Sequence, residues 1–205
     1  RVPEQPLILR WERSVDWSAN ASALAPDGTL VVKAGERLMK FSSAGELLWE
    51  VRTPPSYGGP DGSTGRALAL DAAGNVVAAG YSGQQAFVAK YGPDGDLLWR
   101  RDMSNVCPLS VRSDPAGRVI VAGYTAWSNA FLESYEADGT YRWSAAHGPG
   151  SYRDMTLGPD GSVYAVGNTY GPFGGIMVKY SNTGATLWTT RDYLSAIPII
   201  VRLDG

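Results

Sequence analysis

Residues 92–99 read GPDGDLLW. The phrase returns as SAGELLW at 43–49, ADGTYRW at 137–143 and NTGATLW at 182–188. Its tryptophans, Trp49, Trp99, Trp143 and Trp188, stand 50, 44 and 45 residues apart. A second marker, the turn glycines Gly28, Gly74, Gly117 and Gly161, recurs at intervals of 46, 43 and 44 residues. Two independent markers with one period make an internal repeat.

Unit two spells the repeat out. RALALDAAG alternates and ends in a turn, NVVAAGYS follows as a second apolar run, AFVAKYGPDG as a third, and DLLWRRD as a fourth. Each run is short and bounded by Gly, Pro or Asp, which fits strands and excludes helices. Four short strands per unit of this length are the signature of a propeller blade. The expected fold is therefore all-β, a β-propeller of four complete four-stranded blades. Residues 1–205 form one domain, with blades over 18–52, 65–103, 108–147 and 152–193. LILRW before Trp11 reads as a fourth strand without its own blade, and IPIIVRLDG as a first strand. Strands 6–12 and 197–205 are thus expected to form a partial closing blade. That leaves a five-bladed ring or a piece of a larger one, the latter favoured because Gly205 falls on a turn. An indole recurring at one blade position is expected to pack between neighbouring sheets.

Composition agrees. The 205 residues include 25 Gly, 13 Pro, 11 Tyr and 7 Trp, the makings of many strands and tight turns. The net charge is −2 and no basic run occurs, which excludes a nucleic-acid footprint. The longest apolar stretch, SAIPII before Val201, is far short of the ~20 residues that span a bilayer. One cysteine, Cys107, allows no internal disulfide and reads as a small buried hydrophobe. A first residue of Arg1, with no leader, reads as processed or trimmed.

The stretch ALDAAGNVVAAGYS…AFVAKYGPDGDLLW resembles the bacterial SBBP β-propeller repeats. Asp71, Gly74, Asn75, Gly80, Tyr81, Phe87, Val88, Lys90, Asp94, Gly95 and Trp99 match their pattern. Units three and four match at fewer positions, and unit one departs most, with KAGERLMKF in place of the Gly-Tyr-Thr segment. The likeness overlaps with the quinone-type propeller repeat. It implies a bacterial protein outside the cytoplasm, in the envelope or secreted. It implies no common activity, since a fold does not carry a function.

Chemistry-bearing residues are few. The single histidine, His147, in AAHGPGSY, reads as a loop residue between blades three and four. It has no companions at zinc-ligand spacing, and no Gly-x-Ser-x-Gly phrase accompanies it. No metal or cofactor is expected. Asp102, Asp154 and Asp192, each in an Arg-Asp pair, are the carboxylates a glycoside hydrolase or lyase would need, but they read better as blade-end ion pairs.

What remains are residues the blade template does not require. In a propeller, the loops between second and third strands share one face with the loops between blades. That face surrounds the channel mouth. It is expected to hold Trp127 and Asn129 in TAWSNAF, Tyr170 and Phe173 in TYGPFGG, Gln84 and Gln85 in SGQQ, Tyr57 in SYGGPDG, and His147 and Tyr152 at two further blades. Rings with amide neighbours suit a glycan or a protein ligand. A non-enzymatic binding module is the first expectation. A carbohydrate-active enzyme is the second. The third is an assembly element whose incomplete blade edges pair between copies.

Overall fold

A computed structural model of the chain describes residues 11–14, 19–53, 67–82, 85–170 and 174–192. Most of the expected closing blade, 6–10 and 197–205, lies outside them. The described residues contain fifteen strands and no helix. Blade one is β1 Ala19–Leu24, β2 Leu30–Ala34, β3 Arg37–Phe41 and β4 Leu47–Arg52. Blade two is β5 Ala67–Leu70, β6 Val76–Ser82, β7 Gln85–Tyr91 and β8 Leu97–Ser104. Blade three is β9 Val106–Ser113, β10 Val119–Thr125, β11 Asn129–Tyr135 and the first half of β12. Blade four is the second half of β12, then β13 Val163–Thr169, β14 Gly175–Tyr180 and β15 Thr186–Asp192. Each blade is an antiparallel meander. The first strands touch in succession, β1 with β5, β5 with β9 and β9 with β12, and so ring the central axis. This is a β-propeller.

β12, Tyr141–Leu157, is one continuous strand that leaves blade three as its outer strand and enters blade four as its inner one. No loop separates the two blades. His147 is therefore a strand residue paired with Ala130, contrary to the loop position read from HGPG.

The repeated phrase has a geometric meaning. Each third-to-fourth hairpin turns on a glycine with positive φ, for example Gly139 at 83°. A register shift follows each turn, between Lys40/Phe41, Lys90/Tyr91, Ser134/Tyr135 and Lys179/Tyr180. The residue before each tryptophan is thus an extra one in the ladder, a bulge. In a regular strand, residues two apart share a face. The bulge breaks that rule and turns the indoles of blades one to three towards the next blade.

There each indole meets the next blade's own copy of the phrase. The indole N–H of Trp49 donates to the Pro93 carbonyl at 2.7 Å, Trp99 to Ala137 at 2.9 Å, and Trp143 to Asn182 at 2.9 Å. Trp11 does the same to Ser43 at 3.2 Å. The turn glycine lies under the ring. A Cβ on Gly45, Gly95, Gly139 or Gly184 would come within 2.6, 3.1, 2.7 or 2.7 Å of that indole. The glycine is thus required twice, by its φ and by the ring that covers it. Trp188 is the exception. It is 40% exposed, has no acceptor among the described residues, and packs edge-on against Tyr164 of its own blade.

A second link is ionic. Lys90 Nζ pairs with Asp71 at 2.8 Å with both side chains at most 3% exposed, and donates to the Gly117 carbonyl of blade three at 2.9 Å. Between blades the core is made of small and branched side chains. Val77, Ala79, Val88, Val111 and Val121 lie between blades two and three. Ala122, Leu132, Ala165 and Val178 lie between three and four.

The glycine of the second strand answers to the inner strand. The β9–β10 and β12–β13 ladders shift register beside Gly123 and Gly167. A Cβ on Gly167 would lie 1.8 Å from the Ser151 carbonyl oxygen, and one on Gly123 would lie 2.0 Å from that of Cys107. Backbone on backbone leaves nothing flexible to move. Gly167→Ala is expected to cost about 3 kcal/mol, the upper end of the range for overpacking, measured by urea unfolding.

Candidate binding face

Antiparallel connectivity puts the second-to-third loops and the blade-to-blade links on one face, opposite the tryptophan turns. On that face the 125–129 loop is held tightly. Ser128 N–H donates to the Thr125 carbonyl at 2.8 Å and Asn129 N–H to Thr125 Oγ1 at 3.2 Å. Ala126 N–H donates to the Asn105 carbonyl at 2.7 Å, and Gly150 N–H to the Ser128 carbonyl at 2.7 Å. Among the described residues only Asn105 and Ser128 have positive φ without being glycine, at 58° and 60°. Asn tolerates that region; Ser does so at some cost, which the surrounding hydrogen bonds must offset. Asn105 receives the loop's Ala126 N–H, and Ser128 follows Trp127 directly. Trp127, at the tip of this loop, is 76% exposed.

Blade four is tied to the same place. Tyr170 N–H donates to the Pro149 carbonyl at 3.2 Å, and the Tyr170 ring is exposed. Residues 147–150 are thus a junction on which the loops of blades three and four converge. Trp127, Asn129, His147 and Tyr170 come together there. Asn129 opens β11 opposite Pro149. Gln85 is exposed on the corresponding loop of blade two, one blade away. Tyr57, Gln84 and Phe173 lie outside the described residues.

Tyr152 does not belong to this face. It is fully buried in β12, and its hydroxyl is 2.6 Å from that of Tyr180. Burial pushes its phenol well above the usual range, and the Tyr180 hydroxyl adds to the shift. The sequence offered a tyrosine after Gly-Ser and suggested a loop. The continuous strand makes it core instead.

Asp102 and Asp154 are engaged, though not with the partners the Arg-Asp pairs implied; the Asp192 side chain lies outside the described residues. Asp102 bonds Arg100 at 2.6 Å, while Arg101 donates to the Gly139 carbonyl at 2.9 Å. Asp154 sits on the inner wall. It accepts from Arg112 of blade three at 2.6 Å, from Ser110 Oγ at 2.9 Å and from Met155 N–H at 2.8 Å. Ser110 and Asp154 hold the same position in adjacent blades, where blade two has Ala67; only the register alignment could have exposed the pair. Asp102 and Asp154 lie in blades that do not adjoin, so they share no site. Among the described residues no three His, Cys, Asp or Glu side chains cluster to hold a metal. Cys107 is buried beside Leu109 and Tyr124.

No family model matches the chain, and no curated protein does. Solved structures do. A crystal structure of a protein of unknown function from Bacteroides caccae superposes with a TM-score of 0.61 at 12% identity, over 88% of this chain and 63% of that one. The Dos1 propeller gives 0.65 at 12% identity, over 86% and 47%. The WD40 domain of Neurospora crassa Pan2 gives 0.59 at 9% identity, over 85% and 52%. The fold is shared. The chain spans between 47% and 63% of the length of these structures. No helix among the described residues is long and apolar enough to cross a membrane.

Proposed function

We propose that the chain is a non-enzymatic binding module that takes a glycan or protein ligand on the face centred on Trp127 and residues 147–150. The supporting observation is the Trp127 ring, 76% exposed at the tip of a loop held by four hydrogen bonds, with Ser128 beside it at positive φ. A large ring held rigidly in water loses little freedom on binding and presents a flat apolar surface. On the inner wall Asp154 Oδ1 is taken up by Arg112, Ser110 Oγ and the Met155 N–H, which favours binding over acid–base work. The resemblance to SBBP repeats supports a reading in which the module works outside a bacterial cytoplasm.

A glycan array and a pull-down with the intact protein test the reading, each beside Trp127→Ala. The variant is expected to lose at least tenfold in signal while its unfolding free energy stays within about 0.5 kcal/mol of the parent. Equal signals from the two proteins, or none from either, would sink the reading.

A further inference from the structure

Blades three and four face each other across an interblade cleft filled by their shared apolar core, and its rim lies on the loop face. Strand alternation decides what points into it. Ala130 and Leu132 of β11 face the cleft, and their partners on β12 are His147 and Ala145. Across the cleft, Val178 and Ile176 face blade three, and Ile176 is paired with Arg191. Thr169 follows Val163 and Ala165 on the same side of β13. His147, Thr169 and Arg191 therefore stand on the facing sides of the cleft at its loop-face end, with His147 near enough to Arg191 to feel its charge. Ser151 and Asn168, paired in the neighbouring ladder, face the other way.

These groups are unspent. His147 Nε2 and Thr169 Oγ1 are buried without a hydrogen-bond partner. Buried polar atoms are rarely left so, and an orphaned pair marks a place that a ligand completes. Arg191 is exposed and makes no ion pair or side-chain hydrogen bond among the described residues. Burial, then the nearby Arg191, hold the imidazole below its usual pKa, so it is uncharged at neutral pH and can donate one hydrogen bond. One guanidinium fork with two neutral hydrogen-bonding groups matches a carboxylate. Phosphate commonly draws several cations or a row of backbone N–H groups. The loops that carry the exposed Trp127 and Tyr170 are tied to the adjoining Pro149–Gly150 segment by backbone hydrogen bonds, Gly150 N–H to the Ser128 carbonyl and Tyr170 N–H to the Pro149 carbonyl.

Resting on the loop-face reading, we infer that the cleft rim between blades three and four binds the carboxylate of an acidic saccharide. Arg191 supplies the cation, Thr169 and His147 the neutral hydrogen bonds, and Trp127 a surface for the sugar ring.

The chain has one histidine, so its Hε1 proton resonance needs no assignment. Titration of the intact protein with trigalacturonate should shift that resonance saturably. Neutral galactotriose should bind at least tenfold more weakly, and acetate should not reproduce the shift at equal carboxylate concentration. Arg191→Ala should raise Kd for trigalacturonate at least tenfold, about 1.4 kcal/mol, and Thr169→Val several-fold. Galactotriose binding as tightly, an unchanged Kd in Arg191→Ala, or acetate matching the trisaccharide would overturn the inference. If galactotriose binds equally and Trp127→Ala abolishes both, the carboxylate site falls and the loop face stands. No shift together with a silent glycan array and pull-down removes both.

Discussion

Trp99→Ala is expected to lower the unfolding free energy by about 3–5 kcal/mol, the range for removing a buried aromatic side chain. Three losses combine. The ring is 8% exposed and packs on Tyr135 of the next blade with centroids 6.0 Å apart. It covers Gly139, and its N–H satisfies the Ala137 carbonyl at 2.9 Å. The same substitution at Trp188, 40% exposed and without a turn to cover among the described residues, should cost about 1 kcal/mol or less. Chemical denaturation of both variants makes the comparison. Equal losses would mean that indole content, rather than docking on the next blade, sets the stability.

Lys90→Met should cost about 3–5 kcal/mol at neutral pH, because it leaves Asp71 buried and unpaired. The low end is expected, since Asp71 keeps the Ala73 and Asn75 backbone N–H groups at 2.9 Å and the Asn75 amide at 2.7 Å. The sign with pH follows. Burial alone would raise the Asp71 pKa. The Lys90 and Asn75 hydrogen bonds outweigh it, and in the folded protein the pKa lies below 3.8. That contribution is present above the unfolded value, about 3.9, and is lost as pH falls through the folded one. In Lys90→Met the burial effect loses its main opponent and the carboxyl pKa rises. The deficit should therefore be largest near neutrality and shrink on acidification. Lys90→Met with Asp71→Asn should recover part of the loss. Urea melts between pH 3 and pH 7 read all three.

The blades were legible because their markers are physical necessities. Gly95 and Gly139 recur because a ring and a left-handed turn both require them, and Trp49 and Trp99 recur because those turns need a cover. The candidate face was only half legible. Trp127 and Tyr170 stood out as rings the template does not use, and both are exposed. Tyr152 stood out for the same reason and is core, because β12 runs through where a loop was expected and HGPG does not break it. Arg191 and Thr169 gave no signal, since an arginine ending a fourth strand looks like solvent-facing charge. Only the pairing of Ile176 with Arg191 and of Ala130 with His147 puts both residues on the sides by which blades three and four face each other. The partners of Asp154 were hidden similarly. Arg112 and Ser110 lie more than forty positions away in sequence and meet it only because successive inner strands touch.

Hydrogen exchange at the indole N–H groups, followed by NMR, tests most directly whether each blade is pinned to the next by its tryptophan. Trp49, Trp99 and Trp143 should exchange slowly, with protection that falls together as denaturant lowers global stability, while Trp188 exchanges within the dead time. Protection of Trp188 equal to the others, or fast exchange at Trp99 and its two counterparts, would contradict the account.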